Sequence, residues 1–151
     1  MGNVGKSWQV CDKRRLLLAM MEELAGEAHI SFEGRLREPG LLSLPSASRE
    51  ETAALKRNTL WPKLDFIVVP LERSMSKTII SAMGGNVPTA IIHIQIEKGG
   101  VLQFGAYDDF DPECIFFGSA VKQSVIEYLV SEDILRPIQS KHSKARPPAN
   151  P

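Results

Sequence analysis

The chain has 151 residues, 43% of them apolar, with 18 basic and 18 acidic side chains, so it carries no formal net charge at neutral pH. That length builds one domain with a real core, and the zero charge argues against a dedicated nucleic-acid binder acting through a basic field. Cys11 and Cys114 form neither a disulfide framework nor a CxxC metal site, no apolar run approaches bilayer-spanning length, and the N-terminus lacks the apolar stretch of a signal peptide; free thiols in a cytoplasmic setting, away from membranes, are expected.

The first stretch, Gly2-Asn3-Val4-Gly5-Lys6-Ser7, resembles the end of the phosphate-binding loop of P-loop GTPases. The leading glycine of that pattern would fall before Met1, no strand stands upstream to aim the loop, and neither DxxG nor NKxD follows. No nucleotide site is expected from it. Asp12–Ala25 reads as a helix capped by Asp12 and ended by Gly26, with Leu17, Leu18, Met21, Leu24 and Ala25 as its apolar stripe. In Ala28–Leu36, Ile30, Phe32 and Leu36 alternate with Ser31, Glu33 and Arg35, the pattern of a half-buried strand at a sheet edge. Glu38–Ser46 reads as a loop. Ser48-Arg49-Glu50-Glu51 fits a capping box and predicts a rather polar helix over Arg49–Asn58. Leu60-Trp61-Pro62 then reads as a break with an aromatic anchor.

Leu64–Leu71 is a nearly continuous apolar run, the mark of a strand covered on both faces. A short helix follows over Ser74–Met83, and a strand begins near Ala90. Strand, helix, strand in that order predicts a parallel crossover. Within the helix, Ser74-x-x-Lys77 resembles the SxxK motif of penicillin-recognising acyl-enzymes, but no SDN or KTG accompanies it, and a serine at a helix start is the favoured cap.

Thr89–Gly118 is the clearest patterned stretch. Ala90–Glu97 and Val101–Asp108 alternate as strands around Lys98-Gly99-Gly100. A three-residue loop would pair Glu97 with Val101 and place Ile92, Ile94, Ile96, Leu102 and Phe104 on one buried face; a two-residue loop would set Ile96 against Gln103 and mix the faces. The three-residue loop is therefore expected. Cys114–Gly118 adds a strand, and Ala120–Val130 a helix capped by Ser119 with Val121, Val125, Ile126 and Leu129 inward. The expected architecture is an α+β domain over residues 1–138, with a mixed sheet of about five strands, an antiparallel C-terminal meander and helices packed on the sheet. Residues 139–151, basic and proline-rich, are expected to form a disordered tail.

For chemistry, His93 stands beside Gln95, Gln103 and Tyr107 on one strand face, with Gly105 opposite His93 leaving a shallow space. These four residues form the expected ligand or partner surface. Asp109, Asp111 and Glu113 place oxygen ligands two residues apart, a spacing open to Ca²⁺ or Mg²⁺, although aspartates before proline also start turns unaided. A lone histidine without a placed partner is no catalytic set. The first expectation is thus a small non-catalytic binding or regulatory module that engages a protein partner, without a cofactor. The alternatives are a metal-assisted or hydrolytic enzyme using His93 and the Asp108–Glu113 loop, and a ligand-binding sensor.

Overall fold

The structure, a computed structural model, describes residues 6–37 and 40–139. Its strands are β1 (Lys6–Val10), β2 (Ala28–Gly34), β3 (Asp65–Leu71), β4 (Ile91–Lys98), β5 (Val101–Ala106), β6 (Ile115–Phe117) and β7 (Leu135–Gln139), and its helices are α1 (Lys13–Leu24), α2 (Ser76–Ala82) and α3 (Gln123–Ser131). The fold is α+β. Helices pack against a five-stranded sheet in the order β3-β2-β4-β5-β6, and β1 and β7 form a second, two-stranded sheet. The segment Gly2–Gly5 lies outside the described residues; Lys6 and Ser7 open a strand. Of the expected tail, Gln139 ends β7, and residues 140–151 lie outside the described residues.

Every ladder is antiparallel. The expected crossover from β3 through α2 to β4 joins two strands that run the same way, but β2 lies between them and pairs antiparallel with both, so the sheet is not mixed. The reason lies in β2 itself. Ile30 and Phe32 are buried in the main core, and Ser31 and Glu33 on the opposite face are buried as well. With both faces covered and both edges hydrogen-bonded, β2 is an interior strand and not the edge strand its alternation suggested.

The β4–β5 hairpin also corrects the expectation. Lys98 pairs with Val101 around a two-residue Gly99-Gly100 turn, both glycines at positive φ (61° and 87°), the conformation such tight hairpin turns demand. The faces nevertheless do not mix. The register shifts between Ile96 and Glu97, so that Glu97 opposes Leu102 and Ile96 opposes Phe104, leaving Gln103 as the extra residue of a β-bulge. Leu102 thereby leaves the expected face and packs with Leu55, Phe66 and Val68. A second shift, opposite Glu33–Gly34, puts Ile91 rather than Ile92 in the core.

The main core joins Leu16, Leu17, Met20, Met21 and Leu24 of α1, Ile79 and Ile80 of α2, and Ile126 and Leu129 of α3 to the sheet residues Ile30, Phe32, Ile67, Val69, Ile94, Ile96, Phe104 and Phe117. Trp8 of β1 meets Phe117 edge-on, with ring centroids 5.9 Å apart. Asp12 caps α1 as its sequence predicts, accepting from the Arg15 backbone N–H. At the other end, the Lys98 ammonium donates to the carbonyls of Leu24, Ala25 and Gly26, placing a cation on the negative end of α1. Helix α2 starts at Ser76, after Met75, so Ser74 caps nothing and Lys77 is not one helical turn beyond a helical serine. Helix α3 starts at Gln123 without a side-chain cap; the Ala120 N–H before it is held by Gln103 Oε1 instead.

The predicted helix over Arg49–Asn58 does not form. Residues 48–64 run as an irregular strap across the sheet face opposite the helices. Only Leu55 in its middle is fully buried, so the segment has no apolar stripe to reward a helix. Its polar groups close locally instead: Ser48 Oγ accepts from the Glu50 N–H, Thr52 Oγ1 from the Leu55 N–H and Glu51 from the Arg57 N–H. Ser48 also exchanges two backbone bonds with Val68, covering part of the outer edge of β3.

Candidate functional site

The sheet face under the strap carries a buried polar row: Ser31 and Glu33 from β2, and His93, Gln95 and Glu97 from β4. Alternation on each strand sends these side chains away from the helices. The strap satisfies Glu33, His93 and Gln95, while Glu97 closes on the hairpin turn and on His29. The Glu33 carboxylate, 1% exposed, accepts the backbone N–H groups of Asn58 (2.8 Å) and Thr59 (3.2 Å). Gln95 donates through Nε2 to Ser31 Oγ and to the Lys56 carbonyl, and its Oε1 accepts from the Tyr107 hydroxyl at 3.1 Å. Glu97 accepts from the Gly100 N–H and meets His29 Nδ1 at 2.6 Å.

His93 ties the strap to the loop beyond β5. The Asp108 backbone N–H donates to its Nδ1 at 3.1 Å, which leaves the ring proton on Nε2, and Nε2 donates to Thr59 Oγ1 at 2.8 Å. Both ring nitrogens are thus engaged. Gly105 opposes Gln95 rather than His93, and the space above it is filled by the Tyr107 ring: a Cβ at Gly105 would stand 2.5 Å from Tyr107 Cε2. His93, Gln95 and Gln103 are therefore buried; Tyr107 and the strap close over His93 and Gln95, while Gln103 turns away to the Ala120 N–H before α3 and does not join them. Burial pushes the Tyr107 phenol above its ordinary value of 10.0.

The acidic connection takes an unusual path. Asp108, Asp109 and Phe110 all have positive φ (54°, 57° and 62°), a single left-handed turn, at a cost of roughly 1–2 kcal/mol per residue. It is braced on all sides. Asp108 N–H is held by His93, Asp109 N–H by the Ile92 carbonyl, and the Phe110 side chain is buried. Lys13 Nζ bonds Asp109 Oδ1 at 2.9 Å and lies 5.5 Å from the Phe110 ring centre. Asp111 Oδ1 accepts from the Glu113 N–H, a turn-starting role. The structure does not bring Asp109, Asp111 and Glu113 together as ligands, and among the described residues no group of three or more His, Cys, Asp or Glu side chains is placed to hold a metal ion. Cys114 is a free thiol beside this loop; burial first, then the nearby Asp111 and Asp108 carboxylates, raise its pKa above the ordinary thiol value.

No known protein family, curated protein or solved structure matches this chain.

On the strap itself, Leu60 and Trp61 stand 90% and 86% exposed, directly after the residues that Glu33 and His93 hold. Two adjacent large apolar side chains in solvent are the least expected feature of the surface. The sequence marks them only as a break with an aromatic anchor before Pro62. Their projection depends on Glu33 and Thr59, whose roles are invisible without knowing that the strap crosses β2 and β4. No helix among the described residues is long and apolar enough to cross a membrane.

Proposed function

We propose that this chain is a non-catalytic binding module that engages a protein partner through the Leu60–Trp61 tip of the strap. The observation that supports it is the near-complete exposure of these two residues on a segment held in place by buried bonds to Glu33, His93 and Gln95. A tryptophan carried on a strap whose backbone is already held at Asn58 and Thr59 costs less main-chain ordering on binding, and tryptophan is enriched among the residues that dominate interface energetics. The expected use of the open sheet face gives way to the strap that covers it. The enzyme and sensor readings draw less support, because His93 has both nitrogens occupied by the protein and Asp109 is occupied by Lys13. A cytoplasmic setting fits the two free thiols, Cys11 being exposed.

The test is a photocrosslinking amino acid at position 61, with one at exposed Glu127 on α3 as the control. The expected result is one defined protein crosslinked at position 61 and not at 127. The purified pair should then lose about tenfold or more in affinity in Leu60→Ser/Trp61→Ser, with the melting temperature unchanged. Equal affinity in the double variant would overturn the reading, as would a substrate turnover that depends on His93.

A further inference from the structure

At the end of the sheet where β3 begins, a cavity of about 220 Å³ is lined by Leu42, Arg49, Arg57, Lys63, Leu64, Asp65 and Phe66. Its three cations come from the start, middle and end of the strap, and its one carboxylate is Asp65. None of the salt bridges among the described residues involves any of these four side chains. Asp65 Oδ2 is taken by the Leu36 backbone N–H at 3.0 Å. Glu51 holds the Arg57 backbone N–H and does not line the cavity. Three positive charges against one negative leave an excess of two.

Arg57 is the fixed member. It is half-buried, its Nη1 donates to the Leu64 carbonyl at 2.6 Å, and its guanidinium carbon lies 5.2 Å from the Phe66 ring centre. One of its five N–H donors is thereby used, and the planar fork is held rigidly with donors to spare. Beyond Asp65, a second cleft of about 610 Å³ is lined by Arg35, Arg37, Asp65 and Ala90 and continues the positive surface. Like charges converging without counter-ions repel one another, and the arrangement is relieved by an anion with several acceptor oxygens.

We propose that this cavity binds a phosphate-type dianion, free or as a small phosphomonoester. The charge matches: a phosphomonoester carries about −1.5 to −2 at neutral pH, against the excess of two. The size matches as well, since 220 Å³ lies below the roughly 300 Å³ at which pockets for drug-sized ligands begin. An ester would extend its organic part into the Arg35–Arg37 cleft. This site is separate from the Leu60–Trp61 tip and does not depend on the function proposed for it.

The experiment titrates the full chain with inorganic phosphate and, separately, with glycerol phosphate, following amide chemical shifts and binding heat. Saturable binding is expected, weakened by about tenfold or more in Arg49→Gln and in Lys63→Gln. Both substitutions fall on exposed side chains, so the melting temperature without anion should hold. Arg14→Gln/Lys77→Gln, in the groove between α1 and α2, should bind as the wild type does. Tighter binding of the ester, lost in Arg35→Gln/Arg37→Gln, identifies an ester as the ligand; equal binding identifies the free anion. Absence of saturation, wild-type affinity in Arg49→Gln and Lys63→Gln, or an equal loss in the Arg14/Lys77 control overturns the proposal.

Discussion

Gly105 and Tyr107 stand two residues apart, and the first must lack a side chain because the ring of the second lies over it. The ring is thereby brought to Gln95 and to within 5.8 Å of the His93 ring centre. This has a consequence for alkaline stability. The folded phenol holds its proton above the ordinary value of 10.0, so the folded state binds that proton more tightly than the unfolded chain does. The stabilisation is complete below about pH 10 and is lost as pH rises through the raised folded value. Denaturant midpoints measured from about pH 9 upward should fall in the wild type more steeply than in Tyr107→Phe. At neutral pH the same variant should be less stable by about 0.5–1.5 kcal/mol, for the lost bond to Gln95. Parallel midpoint curves for the two proteins would show that the phenol titrates as it does in the unfolded chain. The sequence brought out His93, Gln95, Gln103 and Tyr107 as a group because alternation makes them neighbours. It missed that His93 and Gln95 lie beneath a cover and that Gln103 turns to Ala120 instead, since nothing in a polar strap announces which sheet it will cross.

At the level of elements, the strap and the β4–β5 hairpin share a lesson about local signals. The capping-box pattern at Ser48 is a genuine start signal, but a helix needs an apolar stripe to bury, and only Leu55 offers one. The backbone N–H groups of Asn58 and Thr59 find the buried Glu33 carboxylate instead. In the hairpin, the hydrophobic pattern correctly demanded that Ile94, Ile96 and Phe104 share a face. The protein meets that demand with a bulge at Gln103 rather than a longer turn, and a bulge leaves little trace in composition. Helix α1 and the strand cores were legible because cap and periodicity agree there. The strap should be releasable from below. Glu33→Ala removes the acceptor of two backbone N–H groups and should cost about 1–3 kcal/mol. Trypsin should then cleave at Lys56 and Arg57 faster than in the wild type while the sheet stays folded. Unchanged cleavage rates at these sites would mean that the strap is held by other contacts, such as Leu55 on Phe66 and Val68.

For the whole molecule, the five-stranded sheet divides two unlike environments. One face builds a core shared by all three helices, and the other builds a polar layer closed by the strap. Most elements were readable in chain order, but β1 and β7 were missed and the strap was read as a helix; the strands' neighbours were not readable either, because β2 entering between β3 and β4 is set by long-range pairing rather than by any local signal. Ile94, 1% exposed in the middle of β4, is a direct probe of the apolar half. Ile94→Ala should lower unfolding free energy by about 2–5 kcal/mol through lost burial and a cavity, read as a shift in denaturant midpoint; an unchanged midpoint would refute that packing.

The pairing of β1 with β7 bears on how the molecule comes into being during translation. β1 leaves the ribosome before every other described element, and its partner leaves after all of them. Until then Trp8 has Phe117 and the rest of its pocket only as they arrive, and the backbone groups of β1 have no ladder to join. The five strands of the main sheet are all synthesised within that interval and can pair among themselves first. A nascent chain would therefore carry an unclosed strand until β7 is made, the kind of exposed edge that holding chaperones recognise, and the β1–β7 clasp would be the last of the described pairings to form.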